Sequence, residues 1–228
     1  MQDMTVSINK PIASKATKVG AVKKEKTSIP HLHPPEEVPL VDGRHHRSLV
    51  TRHKIVEALT ALIREGELVP TAEQVALRAS VGLRTVFRHF DDMDTLYREV
   101  ASSIDAVVMP EVNARFQASS WQERLLESVA RRGALYDRIA AFHLASQIRR
   151  HESAYLDAVL VRSARYQRDL LCRLLPAKVM AKAPLVEGLV MLQSIDTWVC
   201  LRREQGLSAD DAMAVIRQAT QALIAGLD

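Results

Sequence analysis

An all-α fold is predicted by three features of this 228-residue chain. Hydrophobic residues make up 47% of it but aromatics only 4%, the balance of an Ala/Leu/Val-rich helical protein. Alternating β-branched runs bounded by turns are absent, which argues against sheet. Apolar residues recur at helical spacing instead, and Thr71 with Gln74 and Ser120 with Glu123 carry the three-residue spacing of a capping box.

Residues 1–46 differ in kind from the rest. They hold five of the nine prolines, together with Lys10, Lys15, Lys18, Lys23, Lys24 and Lys26, and show no apolar periodicity. Such a segment buries too little surface to offset its ordering entropy and is expected to be a disordered basic arm. It is either a solvated tail or an arm that follows a phosphate backbone or enters a minor groove. His31, His33, His45 and His46 have no cysteine or carboxylate to complete a ligand set, so no metal is expected.

The first helix is expected from Ser48 to Glu65, with Ile55, Leu59, Leu62 and Ile63 in register and Gly66 ending it. Thr71 then opens a short helix whose Val75, Ala76 and Ala79 form a small-residue face for close packing. Gly82 breaks the pattern, and Leu83 to Phe90 restarts it with Val86 and Phe90 on one face. Arg84 and Arg88, also four apart, point outward from another. Asp91 or Asp92 caps a longer helix carrying Leu96, Val100, Ile104 and Val107 as far as Pro110. A basic second helix held against a small first one is the way a helix-turn-helix addresses a major groove. Periodicity alone also allows Leu83, Val86, Phe87 and Phe90 as an apolar stripe, leaving Arg84 and Arg88 as a solvated face.

Ser120 opens the next helix, with Leu125, Leu126, Val129 and Leu135 on its apolar side. Another run covers Glu152 to Leu175 and stops at Pro176. Pro184 suits the first turn of a helix carrying Leu185, Leu189, Leu192, Ile195 and Val199, which Gly206 closes. Ser208 with Asp211 opens the last helix, where Val215, Ile216, Ala219, Leu223 and Leu227 form one stripe.

The stretch from about Thr51 to Tyr97 resembles the DNA-binding domain of the TetR family of bacterial transcriptional regulators. The resemblance rests on Arg52, Ile55, Ala58, Leu62 and Gly66 in the first helix and Thr71, Val75, Ala76 and Ala79 in the second. It continues through Val81, Thr85, Phe87, Arg88, His89 and Phe90 to Leu96. Four positions depart from the family pattern. Ser80 replaces the usual turn glycine, Gly82 the usual serine or threonine cap, Phe87 the commoner tyrosine, and Met93 a lysine that meets the DNA backbone. The last two changes remove phosphate contacts.

The resemblance implies a DNA-binding domain over 47–98 and a helical effector-binding and dimerisation domain over 99–228, ending in a two-helix dimer interface. It places Leu83, Arg84, Thr85, Phe87 and Arg88 toward DNA, with Val86 and Phe90 in the core. Arg84 is the candidate for reading a guanine edge, worth about 1–3 kcal/mol of discrimination. Arg88, His89 and Thr71 are the candidate phosphate contacts. The implied function is a homodimeric repressor released from a palindromic operator in double-stranded DNA by a small-molecule effector. A TetR-like adaptor or DNA-organising protein with a protein partner and no small effector is the alternative.

In the C-terminal half Trp121, Phe142, His143, Gln147, Tyr166 and Met191 are the candidate effector contacts, with Tyr136, Tyr155 and Trp198 also able to line a pocket. Each taken singly is more often ordinary core or interface. Arg131, Arg132, Arg149, Arg150, Arg162, Arg165 and Arg168 could favour an anionic effector, but they are interspersed with acids and read better as a solvated face. Cys172 and Cys200 lie inside helical patterns and read as two buried thiols. No GxSxG, phosphate-binding glycine loop, HExxH or paired-cysteine motif occurs, so neither catalysis nor a cofactor is expected. With no leader-like N-terminus and no run near eighteen apolar residues, the expectation is a soluble cytoplasmic protein outside the membrane.

Overall fold

The computed structural model describes residues 43–227, and all regular structure among them is helical. Helices α1 (Gly43–Arg64), α2 (Ala72–Arg78), α3 (Leu83–His89) and α4 (Met93–Val112) come first. They are followed by α5 (Trp121–Arg149), α6 (Ala154–Cys172), α7 (Ala177–Met180) and α8 (Ala183–Leu192). Then α9 (Ile195–Val199) runs into a π-helical turn (Cys200–Glu204), and α10 (Ala209–Ile224) ends the fold. Among the described residues no single helix is long and apolar enough to cross a membrane.

Local chemistry sets these boundaries. Both capping boxes form: Thr71 accepts from the Gln74 amide while Gln74 reaches back, and Ser120 and Glu123 do the same. Asp92, Ser153, Ser194 and Ser208 cap α4, α6, α9 and α10 through their side chains. Gly66, at φ +100°, turns the chain out of α1 in a conformation L side chains rarely adopt.

Three boundaries and one helix face differ from the sequence expectation. The first helix begins at Gly43 rather than Ser48, so residues 43–46 belong to it and not to the arm. Its first two turns are solvent-exposed and carry no buried stripe, so apolar periodicity could not announce them. The remainder of the expected arm, residues 1–42 with its six lysines, lies outside the described residues. Pro110 does not end α4, which runs on to Val112; a proline in the last turn removes only one backbone bond. The single helix expected from Pro184 to Val199 is broken after Leu192 and bends by 45°. Gln193 sits buried at the break, accepting from Ser128 Oγ at 2.9 Å, and Ser194 restarts the helix by accepting from the Thr197 amide. The expected α4 stripe is rotated, too: Val107 is exposed and Val108 faces inward.

Helix α5 is the spine, packed against α1, α4, α6, α9 and α10. Gly133 on α5 lets the Trp198 ring lie close: a Cβ there would stand 3.1 Å from it. Three apolar clusters surround this spine. The first joins Ile55, Leu59, Val75, Val86, Phe90 and Leu96 of α1–α4 to Phe142 and Ala145 of α5 and Leu156 of α6. The boundary expected at 98/99 therefore falls inside α4 and inside a shared core. The second cluster centres on Tyr136, Trp198 and Ile216, and the third on Leu125, Leu171 and Leu189. Cys172 and Cys200 remain separate, half-buried thiols.

Candidate functional site

The α2–turn–α3 unit builds the first candidate surface. Val86 and Phe90 anchor α3 in the core at 1% exposure each, which fixes the opposite side of the helix outward. That side carries Leu83 and Phe87, 37% and 46% exposed, with Arg84 and Arg88 also exposed and Thr85 half-buried. An apolar stripe that included Leu83 and Phe87 is therefore not what α3 packs with. Arg52 braces the end of this helix. Its guanidinium donates to the His89 carbonyl at 2.6 Å and to Glu99 Oε2 at 2.8 Å, and it stacks 4.2 Å over the Phe90 ring.

The expected phosphate anchors fare unevenly. Arg88 is exposed, but the Nε2 of His89 is buried without a partner, and burial followed by Arg88 and Arg52 pushes its pKa down. A half-buried imidazole with its pKa lowered is a weaker phosphate ligand than an exposed, charged one. Thr71 is exposed, but its hydroxyl is engaged by the Gln74 amide at 3.3 Å. Glu73 in the same first turn is held below the usual carboxylate range by a backbone N–H and by Thr71, which makes this helix N-terminus acidic. Met93 is half-buried against the first apolar cluster, beside Asp91, Asp92 and Asp94. The N-terminus of α4 is thus acidic as well, and Asp92 is held down by the Thr95 amide it accepts from.

A cavity of about 960 Å³ lies between α4, α5 and α6, within the size range of small-molecule pockets. Its α4 wall carries Val100, Ala101, Ile104 and Val108. Toward the helix-turn-helix it is closed by Tyr97, Phe142, Tyr155 and Leu156. Those four residues also belong to, or pack on, the first apolar cluster, so the cavity's end wall is part of the helix-turn-helix core. Three of them are rings backed by arginines: Arg149 lies 5.0 Å from Tyr97, Arg64 5.8 Å from Phe142 and Arg98 4.3 Å from Tyr155. The other end is polar. Tyr136 donates to Gln167 Oε1, and Arg132 donates to the carbonyls of Gln167 and Gln193.

Of the six expected effector contacts, four line this cavity. Phe142 closes one end, and His143 donates through Nε2 to Asp196 Oδ1 at 2.7 Å, a bond that holds Asp196 below the usual carboxylate range. Gln147 lies beside His143 and accepts from Arg150, and Tyr166 donates to Asn113 Oδ1 at 3.2 Å. Trp121 and Met191 do not line it. Trp121 is the first residue of α5 and packs on the third cluster, at the far end of the spine. Met191 is 68% exposed on α8, while its neighbour Val190 faces the cavity; one residue turns a helix by about 100°. Trp198 is buried among core residues, whereas Tyr136 and Tyr155 line the cavity as expected.

Sequence reasoning missed Tyr97 as a cavity residue, and it set Arg132 aside with the other arginines as part of a solvated face. Tyr97 follows Leu96 in a pattern that reads as plain core, and Arg132 is one arginine among many on the helix. The spacing of Tyr97, Val100, Ile104 and Val108 along α4 is the signal that could have found the wall.

No protein-family model matches the chain, and no curated protein does. Solved structures do. One, a protein of Rhodococcus sp. assigned to the TetR-family transcriptional regulators, superposes with a TM-score of 0.58 at 16% identity, covering 77% of this chain and 100% of that one. A second, from Syntrophomonas wolfei str. Goettingen and assigned to the same family, gives 0.55 at 14% identity over 79% of this chain and 97% of that one. Both likenesses are of fold and agree with the resemblance read from Thr51 to Tyr97: this chain has the fold of the TetR-family transcriptional regulators.

Proposed function

We propose that this protein is a cytoplasmic, homodimeric transcriptional repressor that a small-molecule effector releases from its operator. The observation that carries this reading is the wall shared by the cavity and the reading head. Tyr97, Phe142 and Leu156 line the cavity and are buried in the same cluster as Val86 and Phe90 of α3. An effector that spreads these rings favours one setting of α4 over another, and its differential affinity for the two settings is the free energy available to weaken DNA binding.

In this reading Leu83, Arg84, Thr85, Phe87 and Arg88 face the major groove, Arg84 reading base edges and Arg88 holding phosphate. Dimerisation uses α8 and α10, which pack on each other and leave Met191, Val215 and Leu223 exposed at 68%, 43% and 41%. A four-helix bundle across a two-fold axis covers such a face. The open cavity favours this reading over an adaptor with no small effector, whose core would be filled.

The test is selection of bound sequences from a random duplex pool with the full chain. A palindrome with half-sites about one helical turn apart, or a close multiple, is the expected result. Enrichment of no sequence would leave a DNA-organising protein as the better account. Expression of a reporter behind the selected site, with and without the protein, then gives the sign of regulation.

A further inference from the structure

The charges that a cavity leaves uncompensated constrain what it binds. Six arginines line this one, and most are answered. Arg131 pairs with Glu127, Arg150 with Asp157 and Arg168 with Glu187, while Arg115 and Arg162 are solvent-exposed. Arg132 differs. It is half-buried, and its partners are all neutral: the Tyr136 hydroxyl at 3.3 Å and the carbonyls of Gln193 at 3.2 Å and Gln167 at 3.0 Å. None of the nine ion pairs among the described residues includes it.

These bonds are longer than the roughly 2.7–2.9 Å of a guanidinium facing a carboxylate. They also use three of its five N–H donors, leaving two, the number that a carboxylate accepts in a bidentate pair. Two of the three acids on the lining are engaged elsewhere: Asp196 accepts from His143 and Glu111 pairs with Arg138. Asp105 is in none of the described ion pairs, and partial burial pushes its pKa up against the pull of Arg162. A cation drawn out of water without a counter-charge is costly, and an arriving anion relieves that cost.

The rest of the cavity describes the body of the guest. Phe142 lies ten residues beyond Arg132 on the same helix, a separation of about 15 Å at the α-helical rise. Between them the walls are largely apolar, with Ile139 on α5, Ile104 on α4 and Leu160 on α6.

We propose that the cavity takes an amphipathic monocarboxylate, its head on Arg132 and its apolar body running along α5 to the ring end at Phe142. Arg132 is the half-buried lining arginine outside every described ion pair, and one such cation matches one negative charge. Arg115 and Arg162, also outside those pairs, are open to solvent and leave a second charge on a dianion weakly compensated. The proposal rests on the cavity being the effector site, and it names the class of effector.

Titration calorimetry on the full-length protein with dodecanoate, dodecan-1-ol and dodecylamine, each below its micellar concentration, tests it. The acid is expected to bind at least roughly tenfold more tightly than the alcohol, the scale of a charge-assisted pair, with the amine weakest. In Arg132→Gln the acid loses that advantage while the alcohol changes far less; Arg132→Lys, which keeps the charge, retains part of it. An acid that binds no better than the alcohol, the absence of binding by all three, or a preference that survives in folded Arg132→Gln overturns the proposal. If Arg132→Gln does not fold, the wild-type order of acid, alcohol and amine still decides it. Operator release is read separately. Dodecanoate that binds through Arg132 without loosening DNA sustains the ligand class and removes the repressor mechanism. A neutral compound that releases DNA while dodecanoate fails to bind does the reverse.

Discussion

The Ser153 hydroxyl donates to Asp94 Oδ2 at 2.7 Å, and Ser153 Oγ in turn accepts from the Leu156 amide at 3.1 Å. One buried side chain therefore caps α6, the helix that walls the cavity, and ties it to the first turn of α4, which leaves the reading head. Around this tie the arginine–ring contacts run both ways across the junction. Arg64 and Arg98 reach from α1 and α4 to rings on α5 and α6, and Arg149 reaches from α5 to Tyr97 on α4. These contacts make the junction one continuous packed network, the kind of physical path along which coupling between the cavity and the helix-turn-helix can be tested.

Ser153→Ala removes both the cap and the tie. Loss of an N-cap side chain costs about 1 kcal/mol, and an Asp94 carboxylate left without its partner adds a similar amount. Urea unfolding is expected to show about 2 kcal/mol of destabilisation, and effector binding should shift operator affinity less than in the wild type. A variant with unchanged stability and unchanged coupling would show that α6 is positioned by apolar packing alone.

Tyr97 sets a pH limit at the alkaline end. Its ring is 3% exposed, its hydroxyl is buried without a partner, and burial pushes its pKa up to about 12. The unfolded chain ionises this phenol near its ordinary value, so the folded state binds the proton more tightly. Its contribution to stability is complete below pH ~10 and is lost as pH rises toward 12, by on the order of 2 kcal/mol. Tyr97→Phe is expected to flatten the stability profile above pH 10 and to be neutral or slightly stabilising at pH 7, because the orphan hydroxyl goes too. A profile that stays as steep in the variant assigns the alkaline loss to other groups.

Ser80 is the non-glycine residue at positive φ among the described residues, at +55°. It closes α2 with its amide donating to Leu77 O at 3.1 Å and the Val81 amide donating to Ala76 O at 3.0 Å. A side chain in this left-handed conformation costs about 1–2 kcal/mol, and glycine's larger unfolded-state entropy returns about half of that. Ser80→Gly should therefore raise the unfolding free energy by about 0.5–1 kcal/mol, read as a higher urea midpoint at constant slope. A lower midpoint would mean that the serine makes a compensating interaction in the folded state.

The helix-turn-helix was the most legible part of the sequence because its information is local. Thr71 and Gln74, Gly82, and the four-residue spacing of Val86 and Phe90 each constrain the chain within one or two turns. The cavity was less legible because its walls come from helices distant in sequence. Phe142 and Tyr166 could be nominated for their chemistry, but only helix phase separates inward Val190 from exposed Met191. The break at Gln193 was hidden for the same reason: what holds it are Ser128 and Thr220, 65 residues before and 27 after. Arg132 shows the limit most plainly, since an unanswered charge is visible only when every neighbour is in place.

With Phe87 lacking a hydroxyl, Met93 half-buried against the core and the Nε2 of His89 buried, the proposed reading leaves the backbone grip to Arg88 and to contacts beyond α3. The basic residues before Gly43 are the first candidates. Deleting residues 1–40 is expected to weaken operator binding and to flatten its dependence on salt, each lost phosphate contact lowering the slope by roughly 0.9. Identical slopes with and without the segment would mark it as a solvated tail.

Arg84 and Arg88 share a helix face four residues apart, yet the proposal gives them different work, and the difference is measurable. Arg84 lies in the first turn of α3, where a recognition helix meets base edges, and Arg88 lies near its C-terminal end. Arg84→Ala is expected to cost about 1–3 kcal/mol on the preferred site and much less on unrelated duplex, so that selectivity collapses. Arg88→Ala should weaken binding to every duplex alike and lower the salt slope by about 1. Both side chains are exposed and lack an intramolecular ion pair among those described, so neither change should move the unfolding midpoint. If Arg84→Ala instead weakens all sequences equally, α3 grips the backbone at both ends, and base reading passes to Thr85 and the apolar pair Leu83 and Phe87.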